Sequence, residues 1–173
     1  YMSVGLSQPG ILAPLPKAGR YLSFLLAPLP AGQTRHAFRR ALLKQLALLS
    51  PWVQAGELVL GLGVDMLASC TTVGGTVPVP GMRVFPALVG PSVRVPSTPL
   101  SLWCWLRGDD PGALLTRGRE IERLLAPSFV ADAAVGSFRY GKGPNGHGLD
   151  LTGYEDGIEN PRGAAARVAT LLH

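Results

Sequence analysis

PLSLWCWLRGDDPGALLTRGREIERLL, residues 99–125, changes its period halfway along. Over 99–107 the apolar residues alternate, with Leu100, Leu102, Cys104 and Leu106 on one side and Trp103 and Trp105 on the other. That is the period of a β-strand. Asp110 followed by Pro111 reads as an N-cap and a first-turn proline, opening a helix through about Leu125.

The same switch occurs earlier in the chain. Residues 20–27 (RYLSFLLA) read as a buried strand. Residues 33–49 place Phe38, Leu42, Leu46 and Leu49 on one helical face, with Pro51 just past the end. In 57–65, Leu58, Leu60, Leu62 and Val64 alternate with smaller or polar residues, which predicts a second strand. A last strand is expected over 134–140 (AVGSFRY). The order is strand–helix–strand, twice. It predicts an α+β, ferredoxin-like (split βαβ) domain: an antiparallel sheet with helices on one face.

One stretch resists this plan. Residues 66–97 carry five prolines (Pro78, Pro80, Pro86, Pro91, Pro96) and no period. A segment of that length inside a compact domain points to function or an interface. With no internal repeat, the chain reads as a single domain over 2–173 with this excursion.

Composition narrows the class. At 173 residues, 47% hydrophobic and 16% charged, the chain can bury one real core. The 22 glycines and 16 prolines imply many turns. The formal charge is +5, but its dense clusters, Arg35/Arg39/Arg40/Lys44 and Arg117/Arg119/Arg123, fall on the two helices. Solvated helix faces account for them, and no nucleic-acid motif is present. No apolar run reaches the roughly 18 residues of a membrane span. Cys70 and Cys104 form no metal or CxxC spacing, so reduced thiols in a cytoplasmic protein are expected. Met2, after Tyr1, reads as the natural start, with no secretory signal behind it.

Few residues suggest chemistry. GKGPNG (141–146) matches G-x-G-x-x-G in form, but Pro144 interrupts it and no helix-forming run follows. A dinucleotide site needs that helix, so a glycine loop is the reading here. His147 lies in that loop, His36 in a charged helix, and His173 at the end. No trio of Cys, His or carboxylate has a metal spacing. The remaining candidate is GYEDGIENPRG (153–163), which packs Glu155, Asp156 and Glu159 into five residues of a basic chain. Locally it reads as a turn at Asp156-Gly157 and a helix start at Asn160-Pro161. Turn and cap explain most of it, and a catalytic carboxylate is the sharper alternative.

GYEDGIENP resembles the GxxDGxxNP signature of the dye-decolorizing (DyP-type) haem peroxidases, with Gly153, Asp156, Gly157, Asn160 and Pro161 on its fixed positions. SQPGIL (7–12) resembles the start of the family's bacterial, cytoplasmic branch, and VFP (84–86) falls where these proteins carry a comparable element. The ferredoxin-like order is that of the family's N-terminal domain. The resemblance therefore covers essentially the whole chain.

The resemblance implies hydrogen-peroxide-dependent oxidation of dyes, phenols or similar donors with haem b as cofactor. Asp156 matches the distal aspartate, which moves a proton from one peroxide oxygen to the leaving one, a general acid–base step. Glu155, Asp156, Gly157, Ile158 and Asn160 are the expected cofactor-binding residues on this reading. The glycines would bring backbone close to the porphyrin, and Asn160-Pro161 would start a helix beneath it.

Two departures are implied as well. The family's proximal histidine and distal arginine lie in a second ferredoxin-like half, downstream of this motif. Ile158 stands where Thr is common, and Tyr154 where Phe is. The chain is thus expected to be a distal-aspartate half whose partner is a complementary C-terminal half or a second copy of itself. The competing expectation is a non-catalytic ferredoxin-like binding or assembly module that lacks the haem-ligating half.

Overall fold

The computed structural model describes residues 7–70, 79 and 81–171. Tyr1, Met2, Pro78, Pro80 and His173 lie outside the described residues. The main sheet has four strands, β1 (Ala18–Leu26), β2 (Leu58–Leu62), β5 (Leu102–Gly108) and β6 (Phe129–Phe138), in the order β2-β5-β1-β6. All neighbours are antiparallel. Between them run α1 (Arg35–Leu48), α2 (Ser50–Gln54), α3 (Val64–Cys70) and α4 (Pro111–Leu125). This is the ferredoxin-like arrangement, with the first and third long strands central.

The helices form where their caps are encoded. Thr34 Oγ1 accepts the Ala37 N–H at 3.2 Å to start α1. Asp110 Oδ1 accepts the N–H groups of Gly112 at 2.7 Å and Ala113 at 3.1 Å to start α4. These bonds satisfy donors that a helix start would otherwise leave orphaned. From α4, Leu114, Gly118, Ile121 and Leu125 are buried on one stripe. They meet Leu22, Phe24, Leu102, Cys104 and Leu106 from the sheet, joined by Leu42, Leu49, Leu58 and Met66.

Pro51 lies just past the end of α1, as the pattern predicts, and there it sits in the first turn of a further short helix, α2, where its missing N–H costs nothing. Two boundaries differ from the pattern reading. Val64 leaves the strand and opens α3, so the excursion begins with a helical turn. β6 begins at Phe129, five residues before the alternating stretch, because pairing with Leu25 and Leu26 extends it. Farther on, the described part of the excursion holds a two-residue hairpin, β3 (Leu88–Val89) with β4 (Arg94–Val95), and leaves Val84, Phe85, Val89 and Val93 exposed.

The opposite face of the sheet carries an aromatic group. Tyr21 stacks on Trp103 with centroids 5.5 Å apart, and lies 6.2 Å from Trp105. Arg107 covers Trp105 at 4.7 Å. The same guanidinium donates to the carbonyls of Ala13 (3.1 Å), Pro14 (2.6 Å) and Gly56 (3.2 Å). Gln8 grips the Leu60 peptide, donating to its oxygen and accepting from its nitrogen, both at 2.8 Å. The N-terminal strap 8–16 is therefore fastened along the sheet, which brings Leu15 to the site described next.

Candidate functional site

After β6 the chain builds a separate small sheet from β7 (Gly141–Lys142), β8 (Gly148–Leu149) and β9 (Glu155–Asp156). GKGPNG is the turn of its first hairpin: Gly146 donates to Gly143 O at 3.0 Å and Gly143 to His147 O at 2.9 Å. Glu155 fixes that turn from the third strand. Its carboxylate accepts the Asn145 N–H at 2.8 Å and Asn145 Nδ2 at 2.9 Å. A Cβ at Gly143 would collide with this carboxylate. The hydrogen bonds from Asn145, above all from its side chain, hold Glu155 below the usual carboxylate range.

The next turn belongs to Asp150. Its Oδ1 accepts from Thr152 N (2.9 Å), Thr152 Oγ1 (2.7 Å) and Tyr154 N (3.0 Å). Led by the Thr152 hydroxyl, these bonds hold the Asp150 carboxyl below the usual carboxylate range as well. Together the two carboxylates pin both ends of the strand pair that presents Asp156.

Asp156 pairs across the ladder with Gly148 and accepts the Gly157 N–H on Oδ1 at 2.7 Å. Its other oxygen has no partner among the described residues. Gly157 takes φ +73, and a Cβ there would stand 2.9 Å from Asn160 Nδ2. Asn160 in turn donates its N–H to Gly157 O at 3.2 Å. Asn160-Pro161 does not start a helix. The last helix, α5 (Gly163–Leu171), begins later, because the turn has already drawn Asn160 back onto Gly157.

Asp156, Gly157 and Asn160 line a cleft of about 650 Å³ between the end of β6 and this small sheet. Leu15, Phe138, Leu149 and Leu151 give it apolar walls, and Tyr140 stands among them. Arg139, His147 and Arg162 line it too. Of the five expected cofactor-binding residues, three therefore meet at the cleft. Glu155 does not line it and is spent on Asn145; Ile158 is outside the lining and 57% exposed. His36 lies on exposed helix α1, far from the small sheet in sequence. Among the described residues no group of three His, Cys, Asp or Glu could hold a metal ion.

Three residues of the site escaped the sequence reading. Asp150 was findable, since D-x-T with a glycine beyond is an Asx-turn pattern. Arg139 and Arg162 carry no local signal. They reach the cleft only because β6 and the start of α5 converge there.

No family model and no curated protein matches this sequence. Solved structures do match by fold. A dyp-type peroxidase protein of Shewanella oneidensis aligns at 20% identity and TM-score 0.64, over 93% of this chain and 50% of its own. A variant of DypB from Rhodococcus jostii in complex with haem aligns at 22% and 0.69, over 92% and 50%. An encapsulated DyP-type peroxidase of Mycobacterium smegmatis aligns at 23% and 0.64, over 93% and 50%. The chain shares the fold of DyP-type peroxidases over about half the length of the structures it matches.

Proposed function

We propose that this chain is the distal-aspartate half of a DyP-type haem peroxidase, completed by a second half that carries the iron ligand. One observation carries the reading. The carboxylate on the signature position, Asp156, is delivered to the rim of an apolar cleft by a fold shared with a haem-bearing DypB structure.

The residues present fit one side of such a cofactor. A cleft of about 650 Å³ is in the range of organic-ligand sites, and its Leu15, Phe138, Leu149 and Leu151 walls suit a flat apolar body. Bound haem supplies the iron at which hydrogen peroxide is reduced and a donor such as a dye or phenol is oxidised. This chain's part is proton handling. One Asp156 oxygen is anchored by the Gly157 N–H, which fixes the carboxylate. The other is free to take a proton from one peroxide oxygen and return it to the leaving one. Gly157 and Asn160 hold that geometry from below through the bonds already described. The two free cysteines accord with a reducing, cytoplasmic setting. No helix among the described residues is long and apolar enough to cross a membrane.

A second reading, a non-catalytic binding or assembly module, is favoured by the histidines. Of the two described, His36 sits on α1 and His147 turns Nδ1 toward Arg162 at 3.4 Å. Hemin titration separates the readings. A Soret band that sharpens when a complementary C-terminal half is supplied supports the peroxidase half. A chain that never yields a haem band under either condition leaves the module.

A further inference from the structure

Three nitrogen-bearing side chains reach the cleft from three different elements: Arg139 just past β6, His147 in the β7–β8 turn, and Arg162 just ahead of α5. Arg162 Nη2 stands 3.4 Å from His147 Nδ1. A guanidinium can only donate, so a hydrogen bond across this contact requires Nδ1 as the acceptor and leaves the ring hydrogen on Nε2. Arg139 gives one N–H to Leu15 O at 3.3 Å. Its remaining N–H groups, like those of Arg162, have no carboxylate partner. Among the described residues the ion pairs are Lys17–Asp109 and Arg117–Glu57, both elsewhere.

Asp150 and Asp156 also line the cleft, but neither forms an ion pair with Arg139 or Arg162: Asp150 Oδ1 takes the Thr152 and Tyr154 donors, and Asp156 Oδ1 the Gly157 N–H. Two arginines thus line one open cleft, neither paired with a carboxylate, beside the apolar Phe138, Leu149 and Leu151. Arginine binds planar oxyanions with paired N–H groups, and charge-assisted bonds of that kind exceed neutral ones.

We propose that Arg139 and Arg162, with His147 Nε2–H as a third donor, form an oxyanion site for a carboxylate borne on a flat apolar body. The body lies against Phe138, Leu149 and Leu151. The carboxylate could come from a propionate of the cofactor or from a small aromatic acid. Only the first source rests on the peroxidase reading.

The test titrates the full chain with protoporphyrin IX, its dimethyl ester and 2-naphthoate. Binding is followed by porphyrin fluorescence and by the side-chain Nε resonances of Arg139 and Arg162. The free diacid should bind about 10-fold more tightly than the ester, the size of one charge-assisted hydrogen bond. The Arg139→Gln/Arg162→Gln variant should lose that preference while binding the ester as before. If naphthoate shifts both arginine resonances and neither porphyrin binds, the oxyanion site stands with a small acid as ligand, and the haem reading fails. Equal binding of diacid and ester, or a preference that survives in the double variant, overturns the oxyanion site and leaves the haem reading intact. Failure of all three probes to move the arginine resonances overturns it outright.

Discussion

Glu155 reaches across ten residues to take both the backbone and the side-chain N–H groups of Asn145, at 2.8 and 2.9 Å. Asp150 does the same for the turn at Thr152 and Tyr154. Both carboxylates are held below their ordinary range, Glu155 first by the Asn145 side chain and Asp150 first by the Thr152 hydroxyl. A depressed folded-state value means the stabilisation is present above the unfolded value, about pH 4, and is lost as pH falls through the folded one. The small sheet should therefore stay latched at neutral pH and open only in acid. Amide shifts of Asn145 and Tyr154 followed against pH should titrate at lower pH than in a peptide of residues 141–157. Midpoints at or above the peptide's would refute the latch.

Gly157 offers a sharper structural test. Its φ of +73 suits glycine, and a Cβ would crowd Asn160 Nδ2 at 2.9 Å. Gly157→Ala should cost about 1–2 kcal/mol for the left-handed backbone alone. The loss should be local, read as faster hydrogen exchange at the Asn160 amide with little change at Leu22 or Cys104. Unchanged exchange at Asn160 would mean that the turn tolerates a side chain.

The core responds differently. Leu102 is fully buried between the strands and the helix layer, whereas Val89 in the small hairpin is 77% exposed. Leu102→Ala should destabilise the fold by about 2–5 kcal/mol, and Val89→Ala by less than about 0.5 kcal/mol. Urea denaturation of both variants measures the contrast. Similar midpoints would mean that the excursion is part of the cooperative core.

These positions mark how much was legible beforehand. The alternation around Leu102, Cys104 and Leu106 and the Asp110-Pro111 cap are local signals, so the strand and helix they specify lie within a few residues of expectation. The start of β6 was hidden because Phe129 to Ala133 show no period, and their pairing with β1 is tertiary. α3 was missed where a strand pattern ran on into Val64. At the site, Asp156 was legible through its motif, and its spacing alone did not give the cleft. Asn160 was misread as a cap because the competing bond to Gly157 is not visible in a dipeptide signal. Arg139 and Arg162 are 23 residues apart in sequence and meet only through the fold.

Asp156 should show its role in the completed enzyme. Asp156→Asn keeps the shape and can still accept the Gly157 N–H, but the amide cannot shuttle the proton. The first peroxide-dependent change in the Soret band should slow by at least ~10²-fold, the lower end for a lost general acid–base group. Stopped-flow mixing with hydrogen peroxide reads it directly. An unchanged rate would assign the step to a group on the other half.

Assembly is the last expectation, and it follows from the uncovered side of the sheet. The helices α1 and α4 pack on the face of Leu22, Leu102 and Leu106. The register places Tyr21, Trp103 and Trp105 on the other, with Val135 opposite Tyr21 and Val130 opposite Leu25. Val135, Val130 and Leu25 are 55%, 51% and 41% exposed, and the aromatic trio is only half-buried among its own members and Arg107. Together they leave apolar side chains without cover along that face of the sheet, the kind of surface that marks an interaction site when it is contiguous. A sheet with helices on one face needs cover on the other, and a complementary half or a second copy would give it. Light scattering at micromolar concentration should therefore return a mass above 18.2 kDa for the chain, as a self-pair alone or as a heterodimer with the complementary half. Trp103→Glu should shift the chain toward monomer while its far-ultraviolet circular dichroism stays unchanged. A soluble 18.2 kDa monomer that remains haem-free with the complementary half present would sink the assembly claim. A heterodimer with a Soret band would join it to the peroxidase reading.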